Sequence, residues 1–339
     1  MNNSPFISVI TPTFNAAQTL IACIESVASQ TYPYFEHWII DGLSTDNTME
    51  IVKEYASKYT HLKYVSEKDT GIYNAMNKGI SLSKGDWLYF LGADDRLYGN
   101  SVLSDIFEKS INEDIGVIVG DIIINFANHT HSYKSTKFDK YFFAGESIYH
   151  QAILMSKKVF EVAGNFDESY KICADTKMEY EAFRFGFQYL YVDIIIASYS
   201  GTGISSDSKY IDLTRNERVR IIQHIFETCT NNEKKILADN SKKFIKIWLS
   251  EVLSYGLGFY SIYKSLVQTD KNLKKAFKRI FYNKNFWLAN SSESGAFTNL
   301  QKGSILIGLL QVFFLCIKEK RFFYYLKNSI YWLKVRFFT

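Results

Sequence analysis

Proline is nearly absent, with 3 in 339 residues, which excludes a long Pro-rich linker. Cysteine is scarce as well. Cys23, Cys173, Cys229 and Cys316 include no CxxC pair, and their spacing fits neither a zinc site nor a disulfide framework. Reduced thiols in a cytosolic protein are expected. No apolar run is long enough to cross a bilayer comfortably. The longest, Ile305 to Ile317, is broken by Gly308 and Gln311, and a span needs about 20 apolar residues. Met1 to Pro5 carry no basic stretch, so no signal peptide is expected. Neither GxGxxG nor GxxxxGK occurs, which disfavours a dinucleotide-binding Rossmann site and a P-loop.

What is abundant is apolar and aromatic. Hydrophobic residues make up 47% and aromatics 17%, so the chain is neither disordered nor collagen-like. A length of 339 residues gives a prior of about two domains. The net charge of +4 is the sum of two unlike parts: residues 1–229 carry −9, whereas residues 230–339 hold 19 Lys+Arg against 6 Asp+Glu, a net of +13. Such asymmetry suggests an acidic body and a basic region that meets an anionic surface.

The first hundred residues alternate strand and helix signals. Ile7–Ile10 reads as a strand, and Leu20, Cys23, Ile24 and Val27 then fall at i, i+3, i+4 and i+7, one face of a helix. Trp38–Ile40 is a second strand. Ser44 or Thr45 can cap a helix striped by Met49, Val52, Ala56 and Tyr59. Leu62–Val65 is a third strand, and Ile72, Ala75, Met76 and Gly79 stripe a third helix. Trp87–Leu91 is continuously apolar, as a strand buried on both faces should be. This alternation predicts βαβ units and a mainly parallel sheet. Beyond it, helices are expected at 101–109, 157–163 and 175–185, and strands at 116–120, 122–126 and 189–192. After Asp207 strand signals vanish and Lys- and aromatic-rich helical patterns take over, which places a boundary near residue 205.

Ligands of an open α/β sheet bind beyond the carboxyl ends of its strands. Here those ends read Thr11-Pro12-Thr13-Phe14-Asn15, then Asp41-Gly42, then Glu67-Lys68-Asp69-Thr70-Gly71, then Gly92-Ala93-Asp94-Asp95. Adjacent carboxylates at a strand end can hold a hard divalent cation and leave positions open for phosphate oxygens. An isolated Asp-Asp pair is more often a solvated turn. The buried strand before this one and the other acidic strand ends reverse that preference.

These runs carry a resemblance. Ile7–Asn15 and Ile39–Thr48 are similar to the opening of glycosyltransferase family 2. Glu67 to Gly79, reading EKDTGIYNAMNKG, resembles the branch that builds bacterial capsule, colanic acid-like and O-antigen polysaccharides. The likeness covers about residues 5–205. It implies a GT-A fold, a Rossmann-like, mainly parallel α/β sheet flanked by helices, followed here by a C-terminal helical region. It also implies transfer of a sugar from a nucleotide-diphosphate donor (UDP, GDP or dTDP) with inversion.

By that resemblance Thr11, Pro12, Thr13 and Asn15 line the nucleoside pocket, Asp41 accepts from the base with Asp69 nearby, and Asn77 belongs to the donor site. Asp94 lies near ribose and Asp95 on Mg²⁺ or Mn²⁺. Because Gly92 and Ala93 precede the pair, the strict Asp-x-Asp is missing, and Asp95 is the favoured ligand over Asp94. Asp175 matches the family's base motif, and a positioned carboxylate supplies roughly 10²–10⁴-fold in rate. Sequence physics alone makes Asp175 the N-cap of its helix. Glu179 and Glu181 are fallback carboxylates, expected on a solvated face. His150-Gln151 is assigned to donor or acceptor contact. Gly201–Ser205 is either a loop closing over diphosphate or an interdomain turn.

The C-terminal segment, 206–339, has its own logic. Lys320, Lys327 and Lys334 recur every seven residues beside Phe322, Phe323, Leu326, Trp332 and Leu333. Such a helix can lie in a lipid headgroup region, or it can pack its aromatics inward. Expected partners are a polyprenyl-linked saccharide acceptor and, through the C-terminal helices, the inner face of the cell membrane. Nucleic acid is not expected, because the first half is acidic and no recognition motif is present. A sugar nucleotidyltransferase and a non-catalytic membrane scaffold are the rival readings; the former lacks its Gly-rich, basic loop.

Overall fold

The computed structural model describes residues 4–107, 111–126, 129–134, 147–201, 203, 208–228 and 230. Its elements in chain order are β1 (Ile7–Thr13), α1 (Leu20–Ala28), β2 (Phe35–Asp41), α2 (Thr48–Lys58), β3 (Leu62–Ser66), α3 (Ile72–Leu82) and β4 (Trp87–Phe90). Then follow β5 (Arg96–Leu97), α4 (Val102–Phe107), β6 (Ile115–Phe126), β7 (His129–Tyr133), a 3₁₀ turn (His150–Ala152) and β8 (Ile153–Ser156). The rest are α5 (Lys157–Ala163), α6 (Ala174–Arg184), β9 (Gln188–Tyr199), a second 3₁₀ turn (Ser208–Tyr210) and α7 (Ile211–Thr228).

Among the described residues one mixed sheet runs β3-β2-β1-β4-β8-β6-β9-β5, with β7 added against β6. The pairs β1–β2, β2–β3 and β1–β4 are parallel. This is the mainly parallel half that the βαβ alternation predicts. Every residue of β1 and β4 is buried, because helices cover both faces of the sheet. The apolar face of α1 is Leu20, Cys23, Ile24 and Val27, as its spacing requires. Leu20 and Ile24 pack with Ile39, Val52 and Leu62 into one core cluster between sheet and helices.

Several elements differ from the sequence expectation. The cap of α2 is Asn47 rather than Ser44 or Thr45, because Ser44 turns its hydroxyl toward Asp41. In α3 the buried stripe takes in Tyr73 with Met76, Gly79 and Ile80. The two short strands expected at 116–120 and 122–126 are one strand, β6, whose register against β9 shifts around Asp121. That irregularity is why the period broke in the sequence. Strand β8 was not expected at all; its Ile-Leu-Met-Ser is too short to show a period, and it is antiparallel to both β4 and β6.

Residues Met1–Ile225 make one compact unit and Phe226–Thr339 a second. Most of α7 therefore belongs to the first unit, although it begins after the change of composition at residue 205. Its Glu217 is almost fully buried and binds the backbone of residues 171–173. The basic helical patterns expected at 231–339 lie outside the described residues. No helix among the described residues is long and apolar enough to cross a membrane.

Candidate active site

The strand order places β2 on one side of β1 and β4 on the other, with α3 closing the crossover, so the order of strands reverses at the β1–β4 boundary. The carboxyl ends of those strands flank a crevice, the usual ligand position in such sheets. The acidic strand ends collect there.

On the β1–β2 side the polar groups mostly bind one another. Asp41 is fully buried, and its oxygens accept from the Ser44 hydroxyl at 2.5 Å and the Ser66 hydroxyl at 2.6 Å. The Ser44 oxygen in turn accepts the Asn15 N–H at 2.7 Å, and the Asn15 side-chain oxygen accepts the Thr45 N–H at 2.8 Å. Asn15 and Leu43 both have left-handed backbones, φ 50° and 63°. Asn tolerates this conformation, but for Leu it is a strained one. Thr11, Pro12 and Thr13 are buried in β1. The Thr11 hydroxyl hydrogen-bonds His37 Nε2 at 2.9 Å, and that of Thr13 donates to the Thr11 carbonyl at 3.0 Å. Asp69 lies close to Gly42: a Cβ on Gly42 would sit 2.5 Å from Asp69 Oδ2.

Asn77, which the resemblance assigns to the donor site, bonds to the segment ahead of α6. Its amide donates to the Phe166 carbonyl and to Glu168, and its oxygen accepts the Phe166 N–H. Asn74 and Thr70 add further bonds to Glu168. The segment after β3 is thereby tied to the segment that leads into α6.

The β4 end is built around two unequal carboxylates. Asp95 is 1% exposed; its Oδ2 accepts from Gln151 Nε2 at 2.9 Å and its Oδ1 from the Ser200 N–H at 2.9 Å. Burial, then the Asp94 charge, raises its pKa, and those hydrogen bonds oppose the rise. Asp94 is half-buried and accepts from the Ser200 hydroxyl at 2.6 Å. Asp95 is thus the buried anchor and Asp94 the more accessible of the pair. Gly92 is required by this packing, because a Cβ there would lie 2.6 Å from Asp95 Oδ2 and 3.0 Å from Asp94 Oδ1.

Asp175 does not cap α6: the cap is Cys173, and Asp175 sits in the first turn. There its charge is favoured by the helix dipole. Its Oδ1 accepts from the Tyr73 hydroxyl at 3.1 Å and the Thr176 N–H at 2.8 Å, and its Oδ2 faces His150 Nδ1 at 3.6 Å. Burial opposes charge on His150. The adjacent Asp175 carboxylate and the fields of Asp95 and Asp94 nevertheless raise its pKa. The 3₁₀ turn therefore bridges the site: His150 reaches Asp175, and its neighbour Gln151 reaches Asp95.

Glu179 and Glu181 are not on a solvated face. Glu181 pairs with Arg184 Nη2 at 2.6 Å and with His224. Glu179 is fully buried and accepts the Ile148 N–H at 3.1 Å; its other oxygen has no hydrogen-bond partner. Burial and then the Asp175 charge push its pKa well above the carboxylate range. It lines a small cavity with His150, Asp175, Met76, Phe90 and Phe166. The faces of α6 were misjudged because α7 covers its outer side. Ser44, Ser66, Tyr73 and Ser200 were also missed as site-building residues. Three of them stood in or beside strand-end motifs, and that position was the available signal. Of Gly201–Ser205 only Gly201 and Gly203 are described; the remainder lies outside the described residues.

Among the described residues no three His, Cys, Asp or Glu side chains converge as a metal cage. Two adjacent carboxylates with one more accessible still suit a hard divalent cation that takes its other ligands from phosphate and water. The donor set fits Mg²⁺ or Mn²⁺.

An α/β sheet with two carboxylates at β4 and a third across the cleft is the framework of a group-transfer enzyme. The model of the family Glycosyl transferase family 2 matches residues 8–168. A PGL/p-HBAD biosynthesis glycosyltransferase of Mycobacterium tuberculosis (H37Rv) is 33% identical over 203 residues, covering 59% of this chain and 78% of that protein. YibD of Escherichia coli K12, an uncharacterized glycosyltransferase, is 34% identical over 117 residues, 34% of each chain. In structure, Staphylococcus aureus TarS 1–349 in complex with UDP-GlcNAc superposes with a TM-score of 0.62 at 18% identity, covering 78% of this chain and 81% of that one. The mannosyltransferase PcManGT of Pyrobaculum calidifontis, in complex with GDP-Man and Mn²⁺, gives 0.50 at 15% identity, over 95% and 88%. The chain belongs to glycosyltransferase family 2 and has the fold of these GT-A proteins. It is a glycosyltransferase of glycan biosynthesis.

Proposed function

We propose that this glycosyltransferase moves a sugar from a nucleotide-diphosphate donor to a saccharide acceptor with inversion at the anomeric carbon. The observation that carries the reading is the His150–Gln151 turn, which holds Asp175 and the Asp94–Asp95 pair at one cleft. In the proposed step the acceptor oxygen bonds to the anomeric carbon while its proton passes to the Asp175 carboxylate. The bond from that carbon to the diphosphate oxygen breaks, and its electron pair leaves with the diphosphate. Mg²⁺ or Mn²⁺, when bound at this site, would supply positive charge to offset that of the leaving group. Asp94 would hold the cation, and Asp95, fixed by Gln151 and Ser200, would brace Asp94. The nucleotide sugars bound by TarS and PcManGT, and the Mn²⁺ of the latter, support a UDP, GDP or dTDP donor and a metal here.

The proposed acceptor is a polyprenyl-linked saccharide at the inner face of the cell membrane, met by the basic 206–339 region, and the product a cell-surface polysaccharide. The +13 charge of residues 230–339 supports this placement. Purified protein with Mn²⁺ should show a higher melting temperature with one of UDP, GDP or dTDP and should turn over the matching sugar nucleotide. Pyrophosphate release from a nucleoside triphosphate would instead identify a nucleotidyltransferase. Undiminished turnover in both Asp94→Asn and Asp175→Asn would sink the site assignment. Absence of any turnover with lipid-linked acceptors would leave a scaffold.

A further inference from the structure

We propose that Tyr73 is the positioning residue of the transfer step, holding the Asp175 carboxylate from helix α3. The proposal rests on the reading of Asp175 as the base.

The geometry is specific. Tyr73 is 5% exposed, and its ring packs against Phe166 with centroids 5.5 Å apart, so its orientation is set by the core. The hydroxyl has two acceptors, the Ile172 carbonyl at 2.6 Å and Asp175 Oδ1 at 3.1 Å. Burial raises the pKa of Tyr73, as do the Asp175 and Cys173 charges, so it stays a donor. One proton and two acceptors suit two states of the base. Ionised Asp175 attracts the hydroxyl proton. Once Asp175 has taken the acceptor's proton, the hydroxyl keeps a full hydrogen bond by turning to Ile172, and no buried donor is stranded. Because Oδ1 is held by Tyr73 and the Thr176 N–H, Oδ2 is the oxygen left to face His150 and the cleft.

Tyr73 also stands on a rigid base. Three residues farther along α3 and its flank, Asn74, Asn77 and Thr70, grip Glu168 and Phe166 ahead of α6. The donor-side helix therefore sets where the proposed base stands.

The test is turnover of the full-length Tyr73→Phe protein, which loses the hydroxyl and keeps the ring. With UDP-GlcNAc or GDP-mannose, whichever the wild type uses, kcat should fall about tenfold with donor KM within twofold. An unchanged kcat in Tyr73→Phe, alongside an inactive Asp175→Asn, would overturn the positioning role alone. Full activity in Asp175→Asn would overturn the base reading and this proposal together. If Tyr73→Phe does not fold, 3-fluorotyrosine at position 73 keeps the ring and strengthens the donor. It should then change kcat with donor KM within twofold, and an unchanged kcat would overturn the proposal.

Discussion

Glu217 and Cys173 meet at the start of α6: the Glu217 carboxylate accepts the Cys173 N–H at 2.9 Å, together with those of Lys171 at 2.5 Å and Ile172 at 2.8 Å. A buried acid on α7 thus supplies the acceptors that the N-terminus of α6 lacks. Cys173 is the cap residue, yet its side chain makes no capping hydrogen bond.

Removing that acid should be costly. Glu217→Ala leaves buried N–H groups without acceptors, and a loss of roughly 2–3 kcal/mol is expected in urea unfolding. Glu217→Gln keeps one acceptor oxygen and should lose less. Equal stability of the alanine variant and the wild type would show that the clamp carries no weight.

The two β4 carboxylates should separate in their effects. Asp94→Ala should lower turnover by roughly 100-fold or more and shift stability by about 0.5 kcal/mol or less, as for a substitution away from the core. Asp95→Ala should lower both, because it strands the Gln151 amide and the Ser200 N–H. Thermal unfolding of the two variants side by side decides the matter. Asp94→Ala proving the less stable would reverse the assignment of anchor and accessible carboxylate.

His37 makes the fold acid-sensitive. Burial, helped by His61, lowers its pKa to about 3 from the usual 6.5. Between those values the unfolded chain binds a proton that the folded chain refuses, so stability falls as pH drops below 6.5. The slope for one such group is about 1.4 kcal/mol per pH unit. His37→Gln should be shallower between pH 6 and pH 4. Parallel curves for variant and wild type would remove His37 as the cause.

Glu179 has the opposite sign. Its folded pKa is raised, so above the ordinary carboxyl range the unfolded chain loses a proton that the folded chain keeps. Its stabilising contribution is present at low pH and declines as pH rises. Glu179→Gln, which is neutral at every pH, should therefore match or exceed the wild type in melting temperature at pH 8. A lower melting temperature at pH 8 than at pH 5, relative to wild type, would contradict this.

Much of the first hundred residues was legible. The spacing of Leu20, Cys23, Ile24 and Val27 and the continuous run Trp87–Phe90 report directly which faces are dry, because a single helix or strand period carries that information. Strand-end position also picked out Asp41, Asp94 and Asp95 as polar groups of one region, whereas Asp175 was found only by resemblance. Their roles were less legible. Nothing local distinguishes Asp41, enclosed by Ser44 and Ser66, from a carboxylate open to ligand.

Sequence alone determined the alternation of β1 to β4, their connecting helices and the acidity of the strand ends, since these follow from periodicity and turn chemistry within a few residues. Only the tertiary structure decided which carboxylates are buried, which are accessible and which hydroxyls hold them. Asp95 lies against Gln151, fifty-six residues away, and Asp175 against Tyr73, one hundred and two away. Burial and hydrogen-bond partnership are properties of elements brought together across the sheet. A carboxylate's pKa follows those partners and the water they exclude, and not its neighbours along the chain.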